Sequence, residues 1–87
     1  MPAQSSTEYI QETSKLIMEA FCHFGIEAGQ VLAYNDLFPF LDGKDSHYRD
    51  WMRDAEQVLR DEGYTNPDAS GIMLTEVGHK ALYNNNS

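Results

Sequence analysis

KDSHYRDWMRDAEQVLRDEGY, from Lys44 to Tyr64, is the stretch on which the fold turns. At 100° per residue, Tyr48, Trp51, Met52, Ala55, Val58 and Leu59 fall within about a third of a turn of one another, so the stretch predicts an amphipathic helix with one buried face. Asp45 or Ser46 stands where a side chain can accept from a free backbone N–H of the first turn, and Gly63 where a left-handed residue can end the helix. Trp51 is the expected anchor of the core between the first and third helices.

The opposite face is divided by charge. Arg49, Arg53 and Arg60 lie within about 40° of one another, and Asp50, Asp54 and Asp61 form a parallel stripe about 100° away. Two readings stand side by side. One is a solvated face laced with local ion pairs, each contributing a few tenths of a kcal/mol. The other makes the end that carries Lys44, His47, Arg49 and Arg53 a contact surface. From Lys44 to Arg53 three Lys/Arg stand against two Asp, whereas the whole chain has 6 against 14.

That imbalance restricts function. With a formal charge of −8, the counterion-release term that drives nucleic-acid binding is weak or repulsive overall. An acidic surface suits a basic protein partner, or a display of carboxylates that imitates nucleic acid, and spread charge also serves solubility. A chain of 87 residues with 41% apolar content is expected to form one domain around one core. Its single cysteine allows no internal disulfide, and Cys22, set in an apolar run, is expected as a small buried side chain. Cys22 and His23 do not make half a metal site, because adjacent helical residues point about 100° apart and no second Cys/His pair follows. No cofactor is expected. The start MPAQSSTEY has neither a basic segment nor an apolar run, and no later stretch is long enough to span a bilayer, so a cytoplasmic location without membrane contact is expected.

Taken in order, residues 1–5 are expected to be flexible, 6–83 to form the domain, and 84–87 to be a disordered tail. Ser5-Ser6-Thr7-Glu8 has the spacing of a capping box. Ile10, Thr13, Leu16, Ile17, Ala20, Phe21 and Phe24 continue at helical spacing to a stop at Gly25, and Glu8, Glu12 and Glu19 fall off the stripe. Gln30 to Ala33 suits a brief strand. Asn35 or Asp36 can cap a short helix carrying Leu37, Phe38, Phe40 and Leu41, with Pro39 in its first turn. Phe38 and Phe40 sit about 200° apart on such a helix, so they cannot both face one core squarely, and an exposed phenylalanine is a candidate partner contact. TNPDASG reads as a hairpin tip, Ile72-Met73-Leu74 as a strand pairing near Tyr64, and Thr75-Glu76 as the start of a last helix with Val77, Ala81 and Leu82 turned inward.

The order helix, short strand, short helix, long helix ending in Gly-Tyr, hairpin and Leu-Thr-x-x-Gly-x-x-x-Leu is similar to the winged helix-turn-helix domain of small bacterial regulators of the MarR and PadR families. The residues that carry it are Val31-Leu32, Tyr34 to Leu41, Ala55, Val58-Leu59, Gly63-Tyr64 and Leu74 to Leu82, within about residues 8 to 83. The resemblance implies an α+β fold whose third helix enters the major groove, with Ser46, His47, Arg49, Asp50 and Arg53 facing bases and the hairpin touching phosphate. Here the pattern departs from that use: from Asp61 to Gly78 there is no Lys or Arg, Asp68 stands near the wing tip, and no long extra helix offers a dimer contact.

The leading expectation is therefore a non-enzymatic acidic module that binds a protein, as a regulatory accessory factor, through Phe38, Phe40, Asp50, Asp54 and Asp61. The alternative is a small DNA-binding transcription regulator using Lys44, Ser46, His47, Arg49 and Arg53. A monomer or a weak homodimer fits either. No nucleophile, base and orienting group can be placed on one face.

Overall fold

The computed structural model describes residues 6–44 and 48–83. The expectations for residues 1–5 and 84–87, the Ser5 cap, the Asp45 or Ser46 cap and the positions of Ser46 and His47 lie outside the described residues. The elements run α1 (Ser6–His23), β1 (Val31–Ala33), α2 (Tyr34–Asp42), α3 (Tyr48–Asp61), β2 (Thr65–Pro67), β3 (Gly71–Leu74) and α4 (Glu76–Tyr83). The architecture is α+β, four helices with one three-stranded antiparallel sheet in the order β1-β3-β2.

Two helix ends set the geometry. At the end of α1 the Ile26 N–H donates to the Phe21 carbonyl and the Gly25 N–H to that of Cys22. At the end of α3 the Tyr64 N–H donates to Leu59 and the Gly63 N–H to Arg60. Both are the paired bonds of a Schellman stop, which needs a left-handed residue at its centre. Gly25 and Gly63 supply it, with φ of 66° and 83°.

After Gly63 the chain reverses into the hairpin. β3 lies in the middle of the sheet, with Leu32 opposite Ile72 on one side and Thr65 opposite Leu74 on the other. Gln30 falls outside β1 but extends its ladder, since its carbonyl accepts from the Leu74 N–H at 3.0 Å. The strands leave no room for a side chain at Gly71, where a Cβ would overlap the Leu32 carbonyl oxygen. Thr75 then starts α4: its Oγ1 accepts from the Gly78 N–H at 3.0 Å and donates to the Gly63 carbonyl at 2.6 Å. One hydroxyl thus joins the end of α3 to the beginning of α4.

The core gathers Ile17, Ala20 and Phe21 of α1, Leu32, Leu37 and Leu41, Tyr48, Met52, Ala55 and Leu59 of α3, and Ile72 and Leu74. α1 and α3 lie against each other where small residues meet, and the Ser14 hydroxyl sits 3.4 Å from the Ala55 carbonyl. Thr13 and Ser14 are buried there because each hydroxyl donates to the carbonyl four residues back. Such a bond satisfies the oxygen without a partner from outside the helix.

Several expectations are corrected by this packing. Tyr48, fully buried, anchors α3, whereas Trp51 is only half-buried and stacks on Tyr9 at the edge. Val58 is likewise half-buried, at the rim of the α3 stripe. Cys22 is exposed, because α1 is oriented by Ile17, Ala20 and Phe21 and residue 22 points about 100° past them. Phe24 is 40% exposed, since it follows the helix end and leaves the stripe. No side chain caps α2, which starts one residue before Asn35 from extended Ala33; Pro39 falls inside the helix rather than in its first turn. Val77 is 54% exposed, because α4 approaches through Gly78, whose hydrogen faces the Tyr64 carbonyl and Leu74.

Candidate functional site

α2 and α3 together present four different surfaces. Toward α2, Arg49 reaches back across the loop to Asp42 at 3.3 Å, and its guanidinium carbon lies 5.7 Å from the Phe38 ring centre and 5.4 Å from that of Tyr48. The two side chains of the ion pair are 64% and 50% exposed, so the pair positions Arg49 more than it stabilises the fold. Phe38 stacks on Tyr34 at 5.2 Å and tilts against Tyr48 at 6.2 Å. The Tyr34 hydroxyl donates to the Glu56 carboxylate, 3.1 Å from Oε1 and 3.3 Å from Oε2. Burial raises the Glu56 pKa, and the Tyr34 hydrogen bond opposes that rise; the Tyr34 hydroxyl is itself raised, by burial first and by the neighbouring carboxylate second.

Toward the end of α1, Phe40 joins a second aromatic group. Its ring centre is 4.9 Å from His23 and 6.0 Å from Phe24, with His23 edge-on to Phe24 at 4.8 Å. The Lys44 ammonium lies 5.3 Å from the Phe40 ring centre. Phe38 and Phe40 are both half-buried but belong to separate clusters, as their angular separation on the helix demands.

Toward the hairpin, the C-terminal half of α3 and β2 enclose a cleft of about 170 Å³. Arg53, Glu56, Gln57 and Arg60 line it from the helix, and Thr65, Asn66, Pro67 and Ile72 from the sheet. The one ion pair among the described residues is that of Arg49, so Arg53 and Arg60 have none within them. On the far side of α3, Met18, Val58, Leu59 and Tyr64 form the apolar floor of a wider groove against α1, of about 440 Å³.

At the hairpin tip, Asp68 accepts from both the backbone N–H and the hydroxyl of Ser70, at 3.0 and 2.9 Å. These bonds hold its carboxyl below the usual carboxylate range. The tip therefore presents a fixed negative charge.

The structure brings some of the expected residues together and separates others. Asp50, Asp54 and Asp61 are exposed along α3, and Asp61 accepts from the Gln57 side-chain amide at 2.9 Å. They do not share a surface cluster with Phe40. Arg49 and Arg53, expected to act together, diverge, one to Asp42 and the other to the cleft. Sequence reasoning missed Phe24, Gln57, Arg60 and Asn66. Only Arg60 gave a signal, its place on the arginine stripe; the cleft forms when β2 folds back, which helical periodicity does not report. No family model, curated protein or solved structure matches the chain.

Proposed function

We propose that the chain is an acidic winged-helix module that works by binding a protein, as a regulatory accessory factor without catalysis of its own. The element order α1-β1-α2-α3-β2-β3 and the strand order β1-β3-β2 support the winged-helix reading. The observation that carries the functional reading is the aromatic cluster of Phe24, Phe40 and His23, with Phe24 40% exposed at its outer edge. Rings clustered at a surface offer area at little cost in side-chain entropy, and interface cores are enriched in them. The chemistry on offer there is stacking and desolvation. The charge of −8 favours a basic partner, whose approach it accelerates.

A capture experiment tests this with wild type and with Phe24→Ser and Phe40→Ala variants that keep the wild-type thermal transition. A partner purified by the wild type should bind the variants at least tenfold more weakly. A partner held equally by all three would contradict the assignment of the cluster.

The alternative is a DNA-binding regulator that uses α3, and the freedom of Arg53 and Arg60 from ion pairs among the described residues favours it. Against it stand the tie of Arg49 to Asp42 and the acidic hairpin tip. Arg-to-phosphate contacts at the hairpin are the ordinary source of affinity in that mode, and β2 and β3 carry no cation to make them.

A further inference from the structure

We propose that the cleft between the C-terminal half of α3 and β2 is a binding site for a single small oxyanion, a carboxylate or a phosphate, held by Arg53 and Arg60. Residues 53, 57 and 60 recur at helical spacing on the side of α3 that faces β2, so two arginines and Gln57, one of whose amide hydrogens is taken by Asp61, line one wall. Asn66 adds an amide from the opposite wall. Glu56 is the natural local partner for either arginine, at three and four residues' distance. Its oxygens instead accept from the Tyr34 hydroxyl, and neither arginine pairs with a carboxylate among the described residues. Two arginines without a carboxylate partner among the described residues therefore line one concave space, and the planar fork of N–H donors that each carries suits the paired oxygens of a carboxylate or phosphate.

The size of the cleft narrows the ligand. At about 170 Å³ it falls well short of the roughly 300–1,000 Å³ of sites for drug-sized molecules. Pro67 and Ile72 make one apolar side, which accommodates a short stem behind the charged group. Glu56 is the one carboxylate in the lining, and when ionised it opposes the ligand. The site stands independently of the aromatic cluster.

The test is an NMR titration of the full chain with three probes: inorganic phosphate, an acetylated dipeptide with a free C-terminal carboxylate, and the same dipeptide as its amide. Saturable shifts of the Gln57 and Asn66 side-chain amides are expected with phosphate, the dipeptide acid or both, and none with the dipeptide amide. Phosphate alone would identify a free or monoester phosphate as the ligand, and the acid alone a carboxylate. The Arg53→Gln/Arg60→Gln double variant should weaken binding at least tenfold. Glu56→Gln should tighten it about threefold, the Coulomb effect of one nearby charge in a wet site. No saturable shift with either anion, undiminished binding by the double variant, or unchanged affinity in Glu56→Gln would each overturn the proposal.

Discussion

Alanine at Tyr48 and at Trp51 should have very different consequences, although both aromatics lie on the apolar stripe of α3. Tyr48 has no exposed surface. Its replacement empties a closed site beside Phe38, a loss of about 3–5 kcal/mol for a large aromatic. The hydroxyl contributes little of that, since its bond to the Phe38 carbonyl is long at 3.3 Å; Tyr48→Phe should cost about 1 kcal/mol or less. Trp51 is half-buried, with Tyr9 as its stacking partner at 5.5 Å and 5° between planes. The stack contributes about 0.5–1.5 kcal/mol, so with its partial burial Trp51→Ala should cost about 1–2 kcal/mol. A domain of this size has roughly 4–13 kcal/mol of stability in all, at about 0.05–0.15 per residue. Tyr48→Ala therefore brings it close to unfolding, while Trp51→Ala lowers Tm by about 5–15 °C. Urea denaturation followed by far-UV circular dichroism measures both, and a Tyr9→Ala/Trp51→Ala cycle should return the stacking energy as a coupling. A Trp51→Ala cost equal to or above that of Tyr48→Ala would refute the assignment of core and rim.

Other expectations follow from single contacts. Gly71→Ala should cost at least about 3 kcal/mol and disturb the β1–β3 pairing, because the added methyl overlaps the Leu32 carbonyl and backbone cannot step aside cheaply; amide exchange at Leu32 and Ile72 reads it. Thr75→Val should cost about 1–2 kcal/mol by thermal denaturation, since it removes the cap of α4 and the tie to Gly63. Glu56 has its pKa raised by burial in the folded state, so the folded chain binds this proton more tightly than the unfolded one. The stabilising effect is full below the unfolded carboxyl value and is lost as pH rises through the folded one. Glu56→Gln should accordingly gain in Tm over wild type on going from pH 4 to pH 7, and a constant difference would contradict the burial.

Much of the fold was legible because it rests on local rules. The 3.6-residue stripe from Tyr48 to Leu59, the left-handed stop at Gly63, the strand at Ile72-Met73-Leu74 and the cap at Thr75 each follow from a few adjacent residues. What was not legible depends on how elements meet. Tyr48 and Trp51 lie about 60° apart on α3, and only the position of α1 decides which is covered. The chain beyond His23 carries Phe24 off the stripe, an effect of a helix ending one residue before an apolar position. The polar cleft is the furthest from local pattern, since Asn66 comes to line the same cleft as Arg53 and Arg60 only after the turn at Gly63. The division of the charged face was half legible: the stripe of arginines was plain, but the capture of Arg49 by Asp42 seven residues earlier spans a loop.

The central claim is that this acidic module meets a protein rather than duplex DNA, and fluorescence anisotropy of labelled mixed-sequence duplex tests it most directly. At about 50 mM and about 200 mM salt, the range over which phosphate contacts declare themselves, the expected result is no saturable binding at either. Binding that weakens steeply between the two salts and disappears in an Arg49→Ala/Arg53→Ala variant would contradict the account and establish α3 as a DNA-reading helix.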